Sequence, residues 1–151
     1  MITKTITYTD YNGVEKTENF YFNLSKSELI DMELTTPGGF SNYLQKIIDS
    51  KDYPSIAKMV KRVIFMSYGV KSPDGKRFMK SEKLSEEFAQ TPAYDKLYME
   101  FVTDANAGAE FINGLIPDDM VDAVNEAIAK NAKANENIIA LPESNTDVTD
   151  K

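Results

Sequence analysis

The sequence predicts an α+β fold, mainly helical: an N-terminal β-hairpin, a bundle of five to seven helices, and a mobile C-terminal tail. Three observations carry this. Apolar residues alternate with period 2 over residues 2–24, the pattern of half-buried strands. From Ser25 they recur at helical spacing, punctuated by caps and prolines. From Asn135 the chain turns polar. Its 151 residues suit one domain of ordinary size. We therefore expect a single globular domain over 1–135, with the hairpin at 2–24 and the helical part at 25–135. A flexible acidic tail should follow at 136–151.

In the hairpin, Ile2, Ile6 and Tyr8 face Val14, Phe20, Phe22 and Leu24, all on even positions, with threonines and other polar residues between them. Asn12-Gly13 suggests a type I′ turn. Ser25 and Glu28 form a capping box for a helix to about Leu34. A second helix carries Phe40, Tyr43, Leu44, Ile47 and Ile48, and Asp52-Tyr53-Pro54 interrupts it. A third, from about Ser55 to Tyr68, is apolar around most of its circumference and belongs at the centre of the bundle. Gly69 should end it, and residues 69–80 read as a loop turning at Ser72-Pro73-Asp74-Gly75. Ser81 caps a helix through Phe88, and Thr91-Pro92 opens another bearing Tyr94, Leu97, Tyr98, Phe101 and Val102. A further helix holds Phe111, Ile112, Leu115 and Ile116 and closes at Pro117. The last, over 118–135, places Met120, Val121, Val124 and Ile128 on one side.

Composition excludes much chemistry. The chain has no cysteine and no histidine, which removes disulfides, thiolate zinc sites, a Cys nucleophile and any Ser-His-Asp triad. Residues 1–7 build no apolar core, so no signal peptide is expected. The longest run of large apolar residues, Val63 to Met66, is far short of the roughly 20 residues that span a bilayer. Gly69 to Arg77 imitates a P-loop, but its spacer is one residue too long and Arg77 stands where Ser or Thr should hold magnesium. Asp104 to Gly108 imitates a calcium loop, yet Ala109 and Leu115 occupy the required Gly and Glu places. Asp104 or Asn106 is better read as a helix cap. The scattered carboxylates read as a solvated acidic surface. No catalytic residue, cofactor or metal ligand emerges, and an enzyme is not expected.

Charge is polarised. Between Lys51 and Lys83 nine basic residues stand against three acidic ones, a net +6 within a chain of net −7, which leaves −13 elsewhere. Lys58, Lys61, Arg62, Lys71, Lys76, Arg77 and Lys80 form this basic patch, with Phe65 on the face shared by Lys58, Lys61 and Arg62. Basic residues among aromatics can bind nucleic acid, but the acidic whole and only two arginines in the segment favour a protein partner or another copy of the chain. The alanine-rich last helix and the run Ile138-Ile139-Ala140-Leu141 read either as core packing or as a grip on a partner. The seven methionines, Met99 and Met120 among them, are read as core fillers before binding residues.

Three stretches, Ser67 to Phe78, Glu87 to Tyr94 and Glu110 to Pro117, resemble small tail assembly chaperone proteins of long-tailed, siphovirus-type bacteriophages of Gram-positive hosts, a likeness covering roughly residues 20–120. The resemblance implies a helical, non-enzymatic protein of the infected cell's cytoplasm that coats the tape measure protein, helps recruit the tail tube protein and is not retained in the virion. It also implies a longer frameshifted form, extending from the acidic end at Asn145 to Lys151. Met120, Val121, Val124 and Ile128 are then the expected client surface, with the basic patch meeting acidic neighbours. The clear hairpin is more β-structure than the resemblance implies, so another tail or neck component stays open. A small nucleic-acid-associated phage protein using residues 51–83 is the remaining alternative.

Overall fold

The computed structural model describes residues 1–115. Its elements run β1 (Ile2–Thr9), β2 (Glu15–Phe22), α1 (Lys26–Thr35), α2 (Phe40–Ser50), α3 (Tyr53–Ser67), β3 (Tyr68–Lys71), β4 (Phe78–Met79), α4 (Glu82–Ala89), α5 (Pro92–Thr103) and α6 (Ala105–Leu115). The predicted α+β, mainly helical class is borne out. The last helix, the Ile138–Leu141 run and the tail lie outside the described residues.

The hairpin pairs Ile2 with Phe22 and Thr9 with Glu15 in unbroken antiparallel register. Even positions turn inward: Ile6, Tyr8, Phe22 and Leu24 are buried. The opposite face is a polar ladder, with Thr5 Oγ1 donating to Asn19 Oδ1 at 2.7 Å and the Thr7 and Thr17 hydroxyls 2.9 Å apart. Two expectations need correction. Val14 lies 52% exposed, because it belongs to the hairpin tip beyond the last paired residues, Thr9 and Glu15. The turn is not type I′: Gly13 has φ +82° but Asn12 does not enter the left-handed region. Gly13 N–H donates to the Asp10 carbonyl and Asp10 N–H to the Val14 carbonyl, a three-residue loop closed by a glycine bulge. The Asp10 carboxylate accepts from the Asn12 and Val14 N–H groups and pairs with Lys16, and these hold it below the usual carboxylate range, the Val14 bond foremost. An aspartate ahead of the Asn-Gly pair thus selects the turn.

The predicted caps are present. Glu28 N–H donates to Ser25 Oγ at 3.3 Å and Ser25 N–H to Glu28 Oε2 at 2.7 Å, the reciprocal capping box. Ser81 accepts from Leu84 N–H, Thr91 from Tyr94 N–H, and Asp104 from the Asn106 and Ala107 N–H groups. Helix α3 occupies the centre as expected, contacting α2, α4, α5, α6 and β2; Met59, Val60, Val63 and Ile64 are buried on it.

The stretch read as a loop over 69–80 is instead a second hairpin. Tyr68 and Gly69 pair with Phe22 and Tyr21, while Val70 and Lys71 pair with Met79 and Phe78. The result is one antiparallel sheet in the order β1-β2-β3-β4, with α1 to α3 inserted between β2 and β3. The turn fell where expected, with Ser72 Oγ donating to Asp74 Oδ1 and the Ser72 N–H to the Arg77 carbonyl. Gly69 is therefore a strand residue and not a helix cap. A Cβ there would lie 2.5 Å from Phe78 Cε1 and 2.7 Å from the Met79 carbonyl. The sheet and helices meet in a continuous aromatic core: Tyr68 stacks on Phe88 with centroids 4.2 Å apart, Phe88 reaches Phe20 and Phe22, and Phe22 meets Phe111 edge-on at 5.2 Å.

Candidate functional site

Two surfaces have the shape and chemistry of binding sites. The first is an apolar groove of about 400 Å³ between α3 and α6. Tyr53, Ile56 and Val60 rise from α3 at positions i, i+3 and i+7, one face of a helix. Gly108, Ala109 and Ile112 of α6 form the opposite wall, and Phe101 of α5 the floor. Tyr53 is the first residue of α3 and stays 76% exposed, a large ring held against water beside the groove. Lys51, in the left-handed conformation that ends α2, supplies the cation on its lining. The groove has Lys51 and Tyr53 as the titratable side chains of its lining. It can bury apolar side chains of a partner.

The second is a groove of about 540 Å³ between α1, α3 and α4, lined by Lys58, Lys61 and Arg62 over Phe65 and Met66. The Lys61 ammonium lies 5.6 Å from the centre of the Phe65 ring, and the Arg62 guanidinium 5.9 Å from that of Phe40. Lys80 also borders this groove but is occupied by the fold. Its ammonium contacts Glu28 Oε1 at 2.5 Å and donates to the Asn23 and Met66 carbonyls at 3.0 and 3.2 Å. Burial works against the Glu28 charge, yet Lys80 and the Ser25 N–H outweigh it and hold the carboxyl below its usual range. Lys80 thus ties the sheet connection, α1 and α3 together.

The structure therefore divides the seven basic residues. Lys58, Lys61, Arg62 and Lys80 share one groove. Lys71 lies on β3 with its ammonium 4.2 Å from the Tyr21 ring centre, and Lys76 and Arg77 sit in the β3–β4 turn. Met120, Val121, Val124 and Ile128 lie outside the described residues. Met59 is buried and Met66 partly buried, as core fillers should be, but Met99 stands 55% exposed on α5. The apolar groove was not anticipated. Its only sequence signal was the 53-56-60 spacing, masked by the Asp52-Tyr53-Pro54 helix start, with the small pair Gly108-Ala109 opposite. No helix among the described residues is long and apolar enough to cross a membrane.

Comparison with known families gives one result: the model of the phage tail assembly chaperone family matches residues 1–150. The match spans the N-terminal hairpin as well as the helices. No curated protein and no solved structure matches the chain.

Proposed function

The chain belongs to the phage tail assembly chaperone family, and from that premise we propose that it holds the tape measure protein of its own phage soluble while the tail tube protein is recruited, without catalysing a reaction. The family match over nearly the whole chain carries this reading. The α3–α6 groove supports it: a long helical client needs apolar side chains covered along one face, and Tyr53, Ile56, Val60 and Ile112 offer such cover. Met120, Val121, Val124 and Ile128, which lie outside the described residues, remain the client-binding residues proposed from the sequence. The protein would act in the host cytoplasm and be left out of the finished virion.

Peptides tiling the tape measure sequence test the groove. Peptides with apolar residues at helical spacing should bind the purified chain, and Tyr53→Ser combined with Ala109→Glu should weaken them about tenfold, roughly 1.4 kcal/mol. Equal binding by the variant would move the client site elsewhere. Val124→Asp should weaken the same peptides while leaving the fold intact; unfolding would show that residue to be core.

A further inference from the structure

We propose that the groove between α1, α3 and α4 docks an acidic, amphipathic segment of a second, different protein. It is a separate surface from the apolar groove and does not depend on the tape measure reading. Three exposed cations, Lys58, Lys61 and Arg62, line it, and none of them has a carboxylate partner among the described residues. They stand at i, i+3 and i+4 of α3, one face of one helix, so their like charges repel unless an outside anion intervenes. Beneath them Phe65 and Met66 give an apolar floor. The N-terminal end of α4, capped by Ser81, opens on the same groove and adds the positive pole of a helix dipole. Of the carboxylates on the lining, Glu28 is committed to Lys80, which leaves Glu82 alone against three cations.

This chemistry selects the occupant. Carboxylates answer the cations and an apolar side chain answers the floor, so the complementary ligand is a peptide alternating Asp or Glu with Leu, Met or an aromatic. A two-fold pairing of this patch with itself would set Lys58, Lys61 and Arg62 against their own copies, which argues for a different protein. Nucleic acid would satisfy the cations but leave a groove with two lysines and one arginine over an apolar floor poorly matched to its phosphates.

The test uses the full chain and three labelled probes read by fluorescence anisotropy: a short peptide of Glu, Leu and Phe, the same peptide with every Glu changed to Gln, and a single-stranded DNA. The Glu peptide should bind, should bind at least about tenfold better than the Gln peptide, and should weaken as salt rises from about 50 to about 200 mM. Lys61→Glu with Arg62→Glu should abolish the preference for Glu, and Lys58→Glu alone should reduce it. All three residues are exposed, so circular dichroism should show an unchanged fold. The proposal is overturned by no preference for the Glu peptide, by a preference that survives the charge reversals, or by tighter binding of the DNA. Self-association lost in Lys61→Glu/Arg62→Glu would also overturn it by assigning the groove to a second copy.

Discussion

Tyr8 shows how a single side chain couples the hairpin to pH. Its phenol donates to the Glu18 carboxylate across the β1–β2 pair. That bond, with burial and the nearby charges of Glu18 and Asp10, pushes its pKa up from 10.0 to about 12. The protonated form is the one the fold favours, so this contribution is complete below pH 10 and is lost as the pH rises toward about 12. Tyr8→Phe should cost about 1 kcal/mol near neutrality and should make the alkaline loss of stability shallower. Burial raises Tyr68 and Tyr94 as well, so part of the slope should remain. Urea midpoints between pH 8 and 11 check this; an unchanged slope would detach Tyr8 from Glu18. At Gly69 the issue is space. Gly69→Ala should cost about 2 kcal/mol, because the Phe78 ring and Met79 carbonyl are both within 2.7 Å of the new methyl; urea unfolding measures that loss. Neither contact was legible in the sequence. Tyr8 and Glu18 are residues of opposite strands linked only once register is set, and Gly69 sits where a helix-ending glycine was equally well motivated.

At the scale of elements, local rules were sufficient where the information is local. The capping box at Ser25-Glu28, the Ser81 and Thr91 caps and the inward parity of β1 and β2 could all be read from spacing. The β3–β4 hairpin could not. Its strands are four and two residues long, too short for a period, and β3 is stabilised by β2 some 47 positions earlier in register, as in Tyr21 with Gly69 and Phe22 with Tyr68. The edge of the sheet carries its own protection. The register sends the N–H and C=O groups of Thr3, Thr5, Thr7 and Thr9 to the side of β1 away from β2. Lys96 of α5 donates to the Thr7 carbonyl at 2.6 Å there, and Lys4 is tied to Glu100 of the same helix at 3.0 Å. A lysine guarding an edge strand discourages pairing with another chain. Lys96→Ala should therefore raise concentration-dependent association, seen by light scattering, with little change in thermal stability; scattering equal to the parent would show the edge is protected by other means.

Over the whole molecule, charge and apolar surface are organised separately. The positive segment from Lys51 to Lys83 is divided by the fold: Lys58, Lys61 and Arg62 line the α3 groove, Lys80 is built into the contacts between α1 and α3, Lys71, Lys76 and Arg77 sit on the second hairpin, Lys51 ends α2 and Lys83 lies on α4. Sequence showed the polarity but could not show this division, since it depends on the turn from α3 into β3. The apolar groove lies on a different side of α3, formed by Tyr53, Ile56 and Val60 where the basic groove uses Lys58, Lys61 and Arg62. One central helix thus presents two chemically distinct surfaces, one for the proposed client and one for the proposed second partner. Co-expression with the tape measure protein of the same phage tests that account most directly. Soluble tape measure recovered with this chain, and lost with the Tyr53→Ser/Ala109→Glu variant, is the expected result. Tape measure that precipitates equally with and without the chain would contradict it.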